Sequence, residues 1–147
     1  MLARCRSVAF GLFLGLLLSA QWCPAAAKDS AGDAAAIRKV LDKAIEALNA
    51  KDLKGNMAFM HPQSPGYQAT LRQTQMMVTK YDVTVELVEY EFVGTSAGYA
   101  FIRIKQKNTF NKGPYKGTVV ELAHSLRKHE GEWKFWSIMQ LSMKVLK

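Results

Sequence analysis

The chain has 147 residues, of which 49% are hydrophobic and 22% are charged. This mixture is that of a globular domain, and it excludes a disordered tail, a collagen-like chain and a low-complexity linker. Lysine and arginine exceed aspartate and glutamate by 20 to 12, which gives a formal net charge of +8. The two cysteines are too few for a disulfide scaffold.

Residues 1–27 have the pattern of an export signal. Two arginines precede the apolar run 8–18, which has 11 residues. A helix that crosses a bilayer needs roughly 20 apolar residues, so this run suits the hydrophobic part of a secretory signal peptide. Cleavage after Ala27 fits the small-x-small rule better than cleavage after Ala20. We expect export to the periplasm or secretion after cleavage near Ala27, with a retained anchor as the alternative.

Both cysteines, Cys5 and Cys23, lie in this segment. Lipidation of Cys23 is not expected, because Trp22 stands where that chemistry needs a small residue. The remaining domain, 28–147, would then contain no cysteine. This excludes a cysteine nucleophile, a zinc–thiolate site and an iron–sulfur cluster, and it fits an oxidising compartment.

The first half of the domain predicts helices. Apolar residues recur every three or four positions after Asp33, which predicts a helix that ends near Asp52. Asp33 can cap this helix, because its carboxylate can accept a free backbone N–H. A short second helix is expected to stop at His61-Pro62. A third helix is predicted over 67–81.

Four strands are predicted after the helices, over 82–93, 99–110, 115–129 and 132–145. These stretches are rich in β-branched and aromatic residues and are separated by short turns. Short links predict an antiparallel meander. Helices that precede strands predict an α+β fold with the helices packed on one face of the sheet.

Alternation along the strands assigns one face of the sheet to the core and the other to solvent. Trp136 and Ile138 interrupt the charged outer face with an apolar strip, which is typical of a partner surface. We therefore expect a homodimer through Trp136 and Ile138. The core face is expected to hold Val88, Tyr90, Phe92, Ala100, Ile102, Ile104, Val120, Leu122, His124, Leu126, Trp133, Phe135, Met139 and Leu141.

Two stretches carry a family resemblance. Residues 47–52 (ALNAKD) close an amphipathic helix, and residues 126–135 (LRKHEGEWKF) form a hairpin with a glycine turn before Trp-Lys. Both resemble the NTF2-like superfamily, which includes the SnoaL-like and ketosteroid-isomerase-like domains. Shorter segments at 61–65, 81–82 and 99–103 resemble exported members of that superfamily. Together these segments extend the resemblance over residues 33–147.

The resemblance implies a cone, in which a curved antiparallel sheet of about four strands wraps helices around a pocket. Some members are isomerases or cyclases, and many others only bind ligands or partners, so the fold does not fix the function. In the isomerase-like members, acidic residues and a tyrosine in the pocket do the chemistry. The inward positions of this chain offer Tyr90 and His124 instead.

Histidines are the main candidates for chemistry, because imidazole titrates near neutral pH. His124 lies among apolar residues on the core face, where it could act as an acid or base. A buried histidine satisfied by a neighbour is the favoured interpretation. His61 precedes a proline in a loop near the pocket mouth, and it could pair with His124 or Tyr90. A structural role at a helix end is favoured for it.

Several classes of site are not expected. The three histidines lack the short spacing of metal ligands, and neither a Gly-x-Ser-x-Gly motif nor a phosphate loop is present. Lysines around the second β-turn favour a solvated hairpin, and no nucleic-acid signature accompanies them. The methionines could line an adaptable pocket, although an ordinary core role is favoured.

The sequence therefore predicts a signal peptide over 1–27 and one NTF2-like domain over 28–147. We favour a module without catalysis or cofactor that binds a small apolar ligand or a protein partner. One alternative is an isomerase or dehydratase that uses His124 and Tyr90. Another is an assembly protein that dimerises through the sheet face. The expected pocket residues are His61, Tyr90, His124, Trp133 and Met139.

Overall fold

The computed structural model describes residues 26–146. The predicted signal peptide lies outside the described residues as far as position 25, and so do both cysteines. Among the described residues, no helix is both long and apolar enough to cross a membrane. The elements in chain order are α1 (Ala26–Asn49), α2 (Leu53–Met57), α3 (Tyr67–Thr79), β1 (Val83–Ser96), β2 (Tyr99–Phe110), β3 (Gly117–His129) and β4 (Glu132–Leu146).

The strands form one antiparallel sheet in the order β1-β2-β3-β4. This confirms the expected α+β cone, in which helices precede a curved four-stranded meander. The bounds of β2 agree with the prediction, whereas β3 begins two residues late, at Gly117. Gly117 has a φ of +153°, and a Cβ atom there would overlap the backbone oxygen of Asn108. Only glycine fits this start of the strand.

The start of α1 differs from the prediction. Because the helix begins at Ala26, Asp33 lies inside it and does not cap it. The Asp33 carboxylate instead accepts a hydrogen bond of 2.9 Å from the indole nitrogen of Trp133. It also pairs with Lys128 at 3.2 Å. The side chain therefore fastens α1 to the β3–β4 hairpin.

The other end of α1 is fastened to the edge strand β1. The side-chain amide of Asn49 donates to the Val85 carbonyl at 2.9 Å and accepts from the Val85 backbone N–H at 2.7 Å. The helix α1 ends at Asn49. Asp52 is the N-cap of α2, because its carboxylate accepts a hydrogen bond from the Gly55 N–H at 2.8 Å. These two ends hold α1 across the concave face of the sheet.

The core lies between α1 and that concave face. Most of the predicted core-face residues of β2 and β3 are buried there, together with Trp133 and Phe135 from β4. The buried cluster consists of Ile37, Leu41, Ala44, Met57, Met60, Ala100, Ile102, Ile104, Leu126, Trp133 and Phe135.

The prediction for Val88 is wrong because β1 contains a bulge. The pairing skips from Leu87 to Glu89, so the inward set before the bulge is Val83, Val85 and Leu87. Val88 is 50% exposed. A bulge inserts one residue into a strand and reverses the alternation of faces beyond it.

Two bulges in β4 correct the predicted faces of three more residues, Ile138, Met139 and Leu141. Phe135 pairs with Leu126 and Ser137 pairs with Ser125, so Trp136 is the inserted residue. Beyond it the inward position is Ile138, which pairs with His124. Met139 and Leu141, which were predicted inside, are 59% and 43% exposed. Leu141 is the inserted residue of the second bulge, since Gln140 pairs with Leu122 and Ser142 pairs with Glu121. Of the predicted dimer face, Ile138 therefore points inward. The Trp136 ring stays near the outer-face residues Arg127 and Tyr99, 5.2 Å from the guanidinium and 6.0 Å from the ring centre.

Candidate functional site

A cavity of about 610 Å³ lies between the concave face of the sheet and helices α1 and α3. This volume falls in the range of roughly 300–1,000 Å³ that is usual for small-molecule sites. The cavity exists because α3 stands away from the sheet and α1 fills the rest of the concave face. Its apolar wall includes Leu41, Ile45, Met76, Met77, Ile104, Val120, Leu122, Ile138 and Met143.

The cavity wall carries no formal charge. Within residues 26–146, no carboxylate, ammonium or guanidinium group lines it. Its polar groups are neutral amides and hydroxyls, together with the indole of Trp136 and the imidazole of His124. The same residues contain no group of three or more side chains that could hold a metal ion. An ionised ligand would meet no opposite charge there, and its burial would be costly.

His124 reaches the cavity from the middle of β3. Its side chain is 6% exposed, and its ring centre lies 5.1 Å from that of Phe135. Burial lowers the pKa of His124 to about 4, so the ring is neutral at pH 7. Both ring nitrogens are buried and have no hydrogen-bond partner in the described part of the chain. The ring therefore contacts the cavity through its carbon atoms.

A row of neutral polar groups lies farther along the cavity. The Gln106 amide donates to the Asn108 side-chain oxygen at 2.8 Å, and the Asn108 amide donates to the Thr118 hydroxyl at 3.1 Å. All three line the cavity. The sequence prediction missed them, although a signal was present. Gln106 and Asn108 continue the inward alternation of Ile102 and Ile104 along β2.

Tyr90 lies outside this cavity. Its hydroxyl donates to the Ala34 carbonyl at 3.3 Å, and the Arg38 guanidinium lies 5.0 Å from its ring centre. Burial raises the pKa of Tyr90. It is two strands away from His124, about 10 Å across the sheet. The structure does not bring together the two residues of the predicted catalytic pair.

His61 supports the cavity wall from behind. It is 3% exposed, and its Nδ1 accepts from the Gln63 N–H at 3.1 Å. Its ring packs edge-on against Trp136 at 4.8 Å, and Trp136 lines the cavity. Burial lowers the pKa of His61, and the positive charges of His129 and Arg127 lower it further.

The other two predicted pocket residues also lie elsewhere. Trp133 is buried and bonded to Asp33, and Met139 projects from the outer face opposite Ala123. Neither lines the cavity. Of the five predicted pocket residues, the cavity wall includes only His124. It does include Ile138, which the bulge at Trp136 turns inward.

Comparisons with known proteins support this architecture. The model of the family described as "Anti-sigma-I factor RsgI9, C-terminal domain" matches residues 39–146. No curated protein matches the sequence.

Solved structures share the fold at low sequence identity. An NTF2-like protein of unknown function from Pseudomonas putida KT2440 has a TM-score of 0.64 at 13% identity, over 76% of this chain and 87% of that one. A protein provisionally named a dehydratase of the NTF2-like family, from Streptomyces avermitilis, has a TM-score of 0.61 at 16% identity, over 74% and 94%. Bd1075 of Bdellovibrio bacteriovorus scores 0.59 at 13% identity; the match covers 71% of this chain but only 39% of Bd1075. These likenesses confirm the NTF2-like fold.

Proposed function

The chain belongs to the family of the anti-sigma-I factor RsgI9 C-terminal domain, and from this premise we propose that it is a binding domain without catalytic activity. It holds an uncharged, largely apolar small molecule in the cavity between α3 and the sheet. The uncharged wall is the observation that carries this proposal. The family name also supports it, because it describes a domain attached to a regulatory protein.

The catalytic alternative finds little support in the geometry. General acid–base chemistry needs a titratable group within hydrogen-bond reach of the substrate. The nitrogens of His124 are covered, Tyr90 lies outside the cavity, and no carboxylate among residues 26–146 lines it. The provisional dehydratase name of one structural relative is the observation in favour of an enzyme. A turnover that the folded His124→Ala protein loses would establish the enzyme and overturn our proposal.

Titration with the uncharged fluorescent dye N-phenylnaphthylamine tests the binding function. Leu122 lines the cavity, and its neighbour Ala123 faces the other side of the sheet. We expect the wild-type protein to bind the dye and Leu122→Trp to weaken binding by at least ~10-fold, because the indole fills the cavity. Ala123→Trp, the matched control, should bind as the wild type does. Absence of binding, or equal effects of the two variants, would contradict the proposal.

We propose further that the chain works after export. The pattern of residues 1–27 supports this, as does the confinement of both cysteines to that segment. The intact mass of protein recovered from a secreting host tests it. The mass of a chain that begins after Ala27 or after Ala20 supports export with cleavage. The mass of the uncleaved chain contradicts it.

A further inference from the structure

We infer that the cavity takes a single-chain amphiphile, with a long aliphatic chain and an uncharged, hydrogen-bonding head such as a hydroxyl, ester or amide. The inference rests on the proposed function and names the class of ligand for the same site. Its grounds are the shape of the cavity, the distribution of polar groups along it, and the position of its rim.

The cavity is elongated along β3. Thr118, Val120, Leu122 and His124 all line it, and they are successive inward positions of this strand. At ~3.3 Å per residue, the lining from Thr118 to His124 extends about 20 Å. A volume of about 610 Å³ holds about 20 groups of the size of water, at ~30 Å³ each. Such a length and volume accommodate an extended aliphatic chain.

On β2 and β3, the neutral amides and hydroxyl of the cavity floor are grouped at one end, whereas Gln73 and Thr74 of α3 and Gln140 of β4 line the cavity elsewhere. Gln106, Asn108 and Thr118 form the hydrogen-bonded row at the β2–β3 hairpin end. Each amide uses one N–H in this row, and the Thr118 hydroxyl is used only as an acceptor. The remaining N–H and O–H donors and the Gln106 carbonyl are available to a neutral head group.

The middle of the cavity is suited to a methylene chain. Ile104, Val120 and Leu122 provide the floor, while Met76 and Met77 of α3 provide the roof. Methionine is unbranched and polarisable, so it adapts to chains of different conformation. Apolar contact along this stretch would supply most of the binding free energy.

The rim gives such a chain a way in. Met76 on α3 is 49% exposed, whereas Ile138 and Met143 on β4 are 43% and 55% exposed, although all three line the cavity. These residues border the long side of the cavity. A flexible chain can therefore enter sideways between α3 and β4, without passing through one narrow end.

Displacement of the dye by alcohols of different shape tests the inference. From octanol to tetradecanol, we expect the affinity to rise roughly fourfold per methylene until the chain fills the cavity. Decanol should bind more tightly than adamantanol, which has as many carbons in a compact cage. Tetradecanoate should bind at least ~10-fold more weakly than tetradecanol, because its carboxylate meets no cation.

A substitution in the polar row tests where the head lies. Gln106→Leu should lower the affinity for every alcohol by about fivefold, because one hydrogen bond to the head group is lost. The gain in affinity per methylene should stay unchanged. Gln75→Leu, on the exposed side of α3, is the matched control and should have no effect.

The outcomes separate this inference from the proposed function. If the dye binds in the cavity but adamantanol equals decanol, or the series is flat with chain length, the amphiphile is wrong and the binding function stands. Tetradecanoate binding as tightly as tetradecanol, or an unaffected Gln106→Leu protein, also overturns the inference. If the dye does not bind, or if Leu122→Trp and Ala123→Trp behave alike, both proposals fail together.

Discussion

The buried imidazole of His124 lowers the stability of the fold. A neutral imidazole carries one donor and one acceptor, and both are buried without a partner in the described part of the chain. Each unpaired group costs about 1–3 kcal/mol. Charging the ring would cost still more, and this is why burial lowers its pKa to about 4.

The free energy of unfolding should therefore depend on pH through His124. The unfolded chain takes up the proton near the ordinary value of 6.5, whereas the folded protein takes it up only near pH 4. Because the unfolded state binds the proton first, stability falls as the pH is lowered through this window, by about 3 kcal/mol. The lowered pKa of His61 acts in the same direction. Urea unfolding at pH 7, 5.5 and 4 measures the effect.

His124→Phe is the matched variant for this prediction. The ring keeps a similar shape but has no proton to bind and no unpaired nitrogen. We expect this protein to be more stable than the wild type at pH 7, to lose most of the pH dependence, and to retain dye binding. A variant with the full wild-type pH dependence would show that His124 is not the buried neutral group described here.

At the level of elements, one carboxylate makes the polar contact of α1 with the β3–β4 hairpin, in addition to apolar packing. Asp33→Ala should lower the free energy of unfolding by about 1–3 kcal/mol, because it leaves the Trp133 indole N–H buried without an acceptor. Asp33→Asn should lose less, since its amide oxygen can still accept. Asp42→Ala removes only the exposed pair with Arg38 on the same helix, a change of ~0.5 kcal/mol at most. Equal losses for Asp33→Ala and Asp42→Ala would contradict this assignment.

The same elements show how far the sequence predicted the fold. β2 and β3 pair without a register shift, so plain alternation placed Ile102, Ile104 and His124 correctly. The edge strands β1 and β4 contain bulges, and there the alternation gave the wrong face for Val88 and Met139. A bulge depends on how a strand pairs with its neighbour, and the local residue pattern of one strand does not record that pairing.

The predictions of the helix cap and of the site were limited for the same reason, because both depend on contacts between parts of the chain that are distant in the sequence. Asp33 has the chemistry of a cap, but its partner Trp133 lies 100 residues away in the sequence. The cavity arises because α3 lies away from the sheet. This separation depends on how the elements pack together, which the residue pattern of one element does not record. The polar row of Gln106 and Asn108 could have been found, because these residues continue a correctly predicted inward face.

For the whole molecule, the bulge at Trp136 in β4 places Ile138 on the cavity wall and the exposed Met139 on the opposite face of the sheet. The homodimer expected from the sequence remains a proposal, but its apolar contacts would now be Phe101, Met139 and Leu141 on the outer face, at 40%, 59% and 43% exposure. The cavity opens on the opposite face. Assembly and ligand binding should therefore respond to different substitutions.

Adjacent residues of β4 test this separation. Met139→Glu should turn a dimer into a monomer in sedimentation velocity and leave dye binding unchanged, because a carboxylate on the outer face opposes burial against a second copy. Ile138→Glu should leave the dimer intact and weaken dye binding by at least ~10-fold, since it places a charge on the cavity wall. A monomeric wild-type protein would dismiss the dimer. If Ile138→Glu broke the dimer and Met139→Glu did not, β4 would lack the bulge at Trp136, and the faces would be those of uninterrupted alternation.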